Sequence, residues 1–293
     1  MNKLSAIIRQ LRVEQWLKNL FVFIPLFFSG EFVRIEKLQE AVLAFFCFCV
    51  VSSSVYILND LRDLESDRKH PVKSKRPMAS GKISISLGIS LGIVCLLIGV
   101  WMLYVIHNIV FAGIIAGYVM LNLAYSFGLK NVSILDILII SSGFVLRTIS
   151  GAVVADVFIS QWMVVMIFLL ALFLALAKRR DDLVVFLNSG DSIRKSIKNY
   201  NLEFVNGLLI MISGIVIVSY LMYVISPEVM ERFHSQHLYL TSIFVIAGMM
   251  RYMQIAMVEN KSGSPTKALY ADGFIRLVVL GWILSFYVII YRL

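Results

Sequence analysis

Charge is scarce in this chain: only 15% of its 293 residues are Asp, Glu, Lys or Arg, while 59% are hydrophobic. Soluble domains carry about 25% charged residues, so water is a poor solvent for a sequence this apolar and a lipid bilayer is a good one. Short alternating strands between turns are missing, which excludes a transmembrane barrel and leaves the α-helix as the spanning element. Cysteine is sparse as well. Cys47, Cys49 and Cys95 fall inside apolar stretches without disulfide or metal spacing, so they are expected to be packing residues. The pattern of a cleaved secretory leader is lacking, because Glu14 and Lys18 interrupt the N-terminus before any apolar core and no small-residue cleavage site follows. Low-complexity segments and flexible linkers are absent, so residues 1–293 read as one domain.

What is there instead is a series of long apolar runs, at about 15–33, 38–58, 84–106, 109–127, 134–155, 160–177, 204–225, 237–257 and 270–291. Crossing a hydrocarbon core takes roughly 20 residues of helix, and the expectation is an all-α polytopic membrane protein of nine transmembrane helices. Basic residues alternate between the connections. One side carries Lys3, Arg9, Arg12 and Lys18, the segment from Arg62 to Lys82, Lys130, the segment from Lys178 to Lys198, and Lys261 with Lys267. The other holds little beyond Arg34, Lys37, Arg232 and Arg292. Positive residues collect in cytoplasmic loops, which predicts a cytoplasmic N-terminus and an external C-terminus. Topology explains part of the net charge of +9, and an anionic ligand would explain the rest.

Two connections on the basic side, 59–83 and 178–203, are too long and too charged to be simple turns. In the first, Asp60, Asp63 and Asp67 stand at i, i+3 and i+7, so a helix continuing through them would line up three carboxylates on one face. Like charges so close to a membrane are costly unless a cation joins them. Mg²⁺ takes hard oxygen ligands and bridges to substrate phosphates through one or two carboxylates, and Asn59 would add a neutral oxygen. His70, Lys73, Lys75 and Arg76 follow at once, bounded by Pro71 and Pro77, which predicts an ordered non-helical loop. Acids to hold metal followed by cations to hold phosphate make a candidate diphosphate site, with Asn59, Asp60, Asp63 and Asp67 as metal ligands.

This segment resembles the first aspartate-rich motif of the UbiA superfamily of intramembrane prenyltransferases, Asn-Asp-x-x-Asp-x-x-x-Asp. Gln15-Trp16-Leu17-Lys18-Asn19 is similar to that superfamily's first-helix signature, and Tyr125-Ser126 with Lys130 to the end of its fourth helix. The resemblance implies a helical fold with a lateral opening for a lipid tail, an active site on the cytoplasmic side, and Mg²⁺ as cofactor. His70-Pro71-x-Lys73-x-x-Arg76-Pro77 is similar to the branch that transfers phosphoribose to polyprenyl phosphate. That branch implies 5-phosphoribosyl diphosphate as the soluble donor, a decaprenyl-like phosphate as the lipid partner, and a product destined for cell-envelope glycans. The second long connection departs from the superfamily's usual second acidic motif, reading Lys178-Arg179-Arg180-Asp181-Asp182. Three phosphate groups on two substrates call for more cations than one diphosphate does, and Arg offers bidentate contacts while Lys acts as a point charge.

The expected phosphate contacts are therefore Lys73, Arg76, Lys178, Arg179 and Arg180, with His70 binding phosphate or ordering its loop. Lys18, Asn19, Tyr125 and Lys130 are expected at the cavity rim. Arg147, deep in the fifth apolar run, is expected to face the substrate cavity, since an intramembrane arginine needs an anion or a polar space. Gly143 and Gly151 nearby permit close helix packing. Asp272 and Arg276 stand at i and i+4 and are expected to pair with each other. A prenyl diphosphate-dependent transferase with an aromatic acceptor is the second reading, and a non-catalytic lipid-phosphate carrier the third. No nucleic-acid partner is implied.

Overall fold

Residues 3–69, 73–189, 197, 199–263, 268 and 271–291 are described in a computed structural model, and every regular element among them is a helix. In lipid each backbone N–H and C=O must be satisfied within its own segment, which a long apolar helix achieves. The order is α1 Lys3–Gln10, a 3-10 helix Val13–Phe23, α2 Ile24–Phe28, α3 Ile35–Arg62, α4 Leu64–Lys69, α5 Ile85–Ile106 and α6 Ile109–Ser126. There follow α7 Leu135–Val154, α8 Gln161–Ser189, α9 Leu202–Val224, α10 Pro227–Phe233, α11 Ser242–Met257 and α12 Gly273–Tyr291. His70, Pro71, Arg194, Lys195, Lys198, Lys267 and Arg292 lie outside the described residues.

Among the described residues eight stretches, rather than nine, are long and apolar enough to cross a membrane. The difference is at the first apolar run, where a 3-10 coil is followed by the five residues of α2 with Pro25 in its first turn. Long 3-10 runs are uncommon because their hydrogen bonds are poorly aligned. Side chains tie this one to α3: Trp16 Nε1 donates to Ser53 Oγ at 3.0 Å and Asn19 Nδ2 to Cys49 Sγ at 3.2 Å. A second difference concerns 178–189, expected as connection and found as the last turns of α8. Lys178 to Asp182 are thus helical residues.

The chain forms two compact units, residues 1–127 with 146–158, and residues 128–145 with 159–293. In the first, α3 packs along α5 and touches the 3-10 segment and α6. Its core joins Val22, Phe48, Val51, Met102, Phe111, Ile115 and Tyr118. In the second, α8 packs along α9 and α11 against α12, around Phe173, Leu176, Leu209, Val216 and Met249. The three cysteines are buried and free, as their apolar setting predicts.

Gly151 has a steric reason to be glycine: a Cβ there would stand 1.8 Å from the Val22 carbonyl oxygen. Overpacking commonly costs about 1–3 kcal/mol, and a backbone atom yields less than a side chain. Gly151→Ala is therefore expected to lower the unfolding temperature in detergent. Gly113→Ala, with nothing within 4 Å of the added carbon, serves as its neutral control. Equal stability of the two variants would refute the packing.

Candidate active site

The acidic residues sit where α3 ends. Asp63, with φ −88° and ψ 5°, closes α3, and α4 resumes one residue later. The joint keeps a helical course, because the Asp63 N–H reaches the Asn59 carbonyl at 3.0 Å and the Asp67 N–H reaches the Asp63 carbonyl at 2.8 Å. Asp60 and Asp67 are buried, at 4% and 1% exposure, while Asn59 and Asp63 are half-buried.

Guanidinium groups occupy this helix end. Asp60 Oδ1 takes hydrogen bonds from Arg12 and, at 3.0 Å, from Arg76 Nη1, while Gln10 Nε2 donates to Asp60 Oδ2 at 3.2 Å. The same Arg76 nitrogen donates to Asp67 Oδ2, so one arginine bridges two carboxylates. Among the described residues no three His, Cys, Asp or Glu side chains are placed to share a metal ion, and Asp60 and Asp67 meet arginines instead. The physical reason is the repulsion that the spacing itself creates. Two arginines answer it here, and buried charges are retained only when paired.

The donor set nonetheless suits a hard cation. Asn59 Oδ1 and Asp67 Oδ1 are buried oxygens with no hydrogen-bond donor among the described residues. Buried acceptors in that condition are rare and call for a ligand, and neutral and anionic oxygens are what Mg²⁺ binds. Arg76 reaches the carboxylates from a folded loop rather than an extended one. Residues 73–75 form a 3-10 turn, the Ser80 N–H bonds the Arg76 carbonyl at 2.9 Å, and Met78 is 2% exposed in a core with Ala6, Ile57 and Leu64. Lys73 is half-buried in that turn.

Lys18, Asn19 and Arg147 come together in the same unit. Arg147 is 5% exposed, donates from Nε to Asn19 Oδ1 at 2.7 Å and from Nη2 to the Tyr118 hydroxyl at 2.9 Å, and lies over the Tyr118 ring at 4.7 Å. Lys18, half-buried, feels Arg147 and Arg12 as like charges and Glu14 as the opposite one. Tyr125 is half-buried near the end of α6.

The basic run of α8 belongs to the second unit, as does Lys130 in the 3-10 turn Leu129–Asn131. Arg179 is 2% exposed, with Nε 3.1 Å from Asp136 Oδ2 and Nη1 2.6 Å from Asp182 Oδ2. The Tyr200 hydroxyl donates to Asp136 Oδ1 at 3.3 Å and accepts from the Ile134 N–H at 2.7 Å, and burial pushes that phenol up from its ordinary value. Arg180 bonds Asn206 Oδ1 at 2.8 Å, Asn260 Oδ1 at 2.7 Å and the carbonyls of Ala256 and Met257. It thereby caps the C-terminal end of α11, where carbonyls lack helical partners. Asp272 does not pair with Arg276. Its Oδ2 takes Arg251 Nε at 3.1 Å and Nη2 at 2.6 Å, and its Oδ1 caps the Ile275 N–H at 2.9 Å, so the Arg251 hydrogen bonds hold the carboxyl below its usual range.

Sequence reasoning missed Gln10, Tyr118, Asn206 and Asn260, whose roles depend on long-range contacts and leave no local pattern. Arg12 was visible only as part of a basic N-terminus, where topology accounts for it.

Comparison with known proteins places the chain in a family. Residues 22–278 match the UbiA prenyltransferase family. A decaprenyl-phosphate phosphoribosyltransferase of Mycolicibacterium smegmatis is 32% identical, over 96% of this chain and 91% of its own. The Corynebacterium glutamicum protein of the same name is 28% identical, over 99% and 88%. A solved UbiA homolog from Archaeoglobus fulgidus, bound to DMAPP and Mg²⁺, superposes with TM-score 0.71 at 20% identity, covering 98% of this chain and 99% of its own. With an all-helical membrane fold, an acidic helix end beside bound arginines, and similarity along nearly its full length, the chain belongs to the UbiA prenyltransferase family and is a multi-pass membrane transferase.

Proposed function

We propose that the protein transfers 5-phosphoribose from 5-phosphoribosyl diphosphate to a decaprenyl-like polyprenyl phosphate and releases diphosphate. The observation that carries this reading is the similarity to relatives named decaprenyl-phosphate phosphoribosyltransferase, which extends over nearly the whole of both chains. The residues 1–293 act as one catalytic domain, with the basic connections and the active site on the cytoplasmic side. The lipid product serves cell-envelope glycan synthesis.

Asn59, Asp60, Asp63 and Asp67 would hold Mg²⁺, which when bound supplies positive charge against the leaving diphosphate. Arg76 and Arg12 exchange their carboxylates for donor phosphates, a swap between two bidentate anions of similar geometry. Lys73 and Lys178 add point charges, and Lys18, Asn19, Tyr125 and Lys130 line the substrates. Arg147, Arg179 and Arg180, whose donors are engaged within the protein, act by holding helices and neighbouring polar groups in place. As the donor's C1–oxygen bond breaks, its electron pair leaves with the diphosphate. A phosphate oxygen of the lipid then forms the new bond to C1. That phosphate is ionised at neutral pH, so no side chain has to remove a proton, and His70 is left to bind phosphate or order its loop.

The test uses purified protein in detergent with labelled 5-phosphoribosyl diphosphate, decaprenyl phosphate and Mg²⁺. A labelled lipid is expected, lost on chelation and restored by Mg²⁺. Product formed only from a prenyl diphosphate and an aromatic acceptor would overturn the donor assignment, and no product in either arm would favour a carrier.

A further inference from the structure

The last span presents a charged group to lipid. Arg276 stands one turn inside α12, is exposed, and makes no side-chain hydrogen bond or ion pair among the described residues. Its neighbour on the same helix face, Asp272, is already held by Arg251, which also contacts Glu259 at 2.9 Å. Arg276 borders a shallow groove of about 530 Å³ whose other walls are Gly273, Leu277, Leu280, Gly281 and Leu284. The three leucines are 67%, 59% and 61% exposed, so among the described residues their side of α12 is left open, while Gly281 at its edge packs against Phe244 of α11. The groove follows the helix for about 16 Å, at roughly 1.5 Å per residue. A Cβ on Gly273 would stand 3.9 Å from Arg276 Nη2, so the guanidinium lies back toward the start of the helix. That is the direction in which an arginine snorkels toward the headgroup layer.

We propose that this groove binds an anionic phospholipid, with the headgroup phosphate on Arg276 and one acyl chain along Leu277, Leu280 and Leu284. Charge complementarity selects the occupant. A guanidinium at this depth gains from an anion, whereas a zwitterionic headgroup brings its own cation to the same place. A second copy of the chain seated on the groove would bury Arg276 without a counter-charge, which is costly. Nothing in the proposal depends on the catalytic reading.

The full-length protein would be exposed in detergent to an equal mixture of phosphatidylglycerol and phosphatidylcholine with identical acyl chains, and the retained lipids weighed by native mass spectrometry. Wild type is expected to favour phosphatidylglycerol about fivefold, the factor that one basic residue near an anionic headgroup supplies. Arg276→Gln should bring the ratio to about one and Arg276→Lys should keep most of it. Leu280→Trp, which fills the groove, should reduce retention of both lipids, and it decides the matter if Arg276→Gln does not fold. Excess inorganic phosphate should leave the wild-type ratio unchanged. An unchanged ratio in Arg276→Gln, undiminished retention in Leu280→Trp, or loss of the preference to phosphate alone would each overturn the site.

Discussion

Asp60→Asn is expected to lose at least about 100-fold in kcat with the fold retained, the scale on which removal of one preorganised electrostatic group acts. Asp60 is the acceptor on which three donors converge, from Gln10, Arg12 and Arg76. The amide keeps the shape but loses the charge, so it can neither hold a divalent cation firmly nor balance the two guanidinium groups. Those arginines are 20% and 28% exposed, so water relieves part of their excess charge and the variant should still unfold cooperatively. Two readouts separate chemistry from stability. A ligand present at 100 times its Kd stabilises the native state by about 2.7 kcal/mol, so Mg²⁺ with diphosphate should raise the wild-type melting temperature. The same addition should leave Asp60→Asn unmoved. Near-normal turnover in the variant would remove the acidic helix end from the reaction.

Arg179→Leu is expected to cost stability instead. It leaves Asp136, which is 0% exposed, as a buried carboxylate without its cation, a loss that typically reaches about 3–5 kcal/mol. Replacing both partners with leucine should recover most of that, because an apolar pair of similar volume removes the desolvation burden along with the attraction. Asp182, at 15% exposure, is closer to solvent and tolerates the loss better. Stability in urea or by heating gives the first measurement. The second is the KM for 5-phosphoribosyl diphosphate in the double variant, expected to stay within about threefold of wild type. A rise beyond about tenfold, or about 1.4 kcal/mol, would return Arg179 to the donor phosphates.

These expectations separate two kinds of arginine that look alike in sequence. Arg179 and Arg180 stand in a basic run of the sort that a phosphate site or an inner-leaflet anchor would carry, and their neighbours are equally charged. Folding gives Arg179 two carboxylates, and it gives Arg180 two asparagines and a helix C-terminus. None of those partners is closer in sequence than Asp182, three residues on, and most are far removed. Arg76 is different. Its position after an acidic helix end and beside Pro77 marks it as a candidate phosphate-facing cation, and in the structure its guanidinium lies on Asp60 and Asp67. Asp272 and Arg276 make the opposite point: favourable i,i+4 spacing lost to Arg251, because two guanidinium nitrogens outweigh one exposed helical pair.

By itself the sequence determined the solvent and the predominance of helix, and it marked the acidic helix end as a candidate site. Long apolar runs admit only helices in lipid, and a carboxylate triplet ending in a basic, proline-bounded loop marks a candidate diphosphate site. Tertiary structure alone decided that the first run is a 3-10 coil pinned to α3, that α8 continues through its basic residues, and which charges neutralise which. The reason is the range of the forces involved. Hydrophobic periodicity and helix propensity act between near neighbours and are written locally. The partner of a buried charge is whichever group folding brings within about 3 Å, and that is a property of the packed chain.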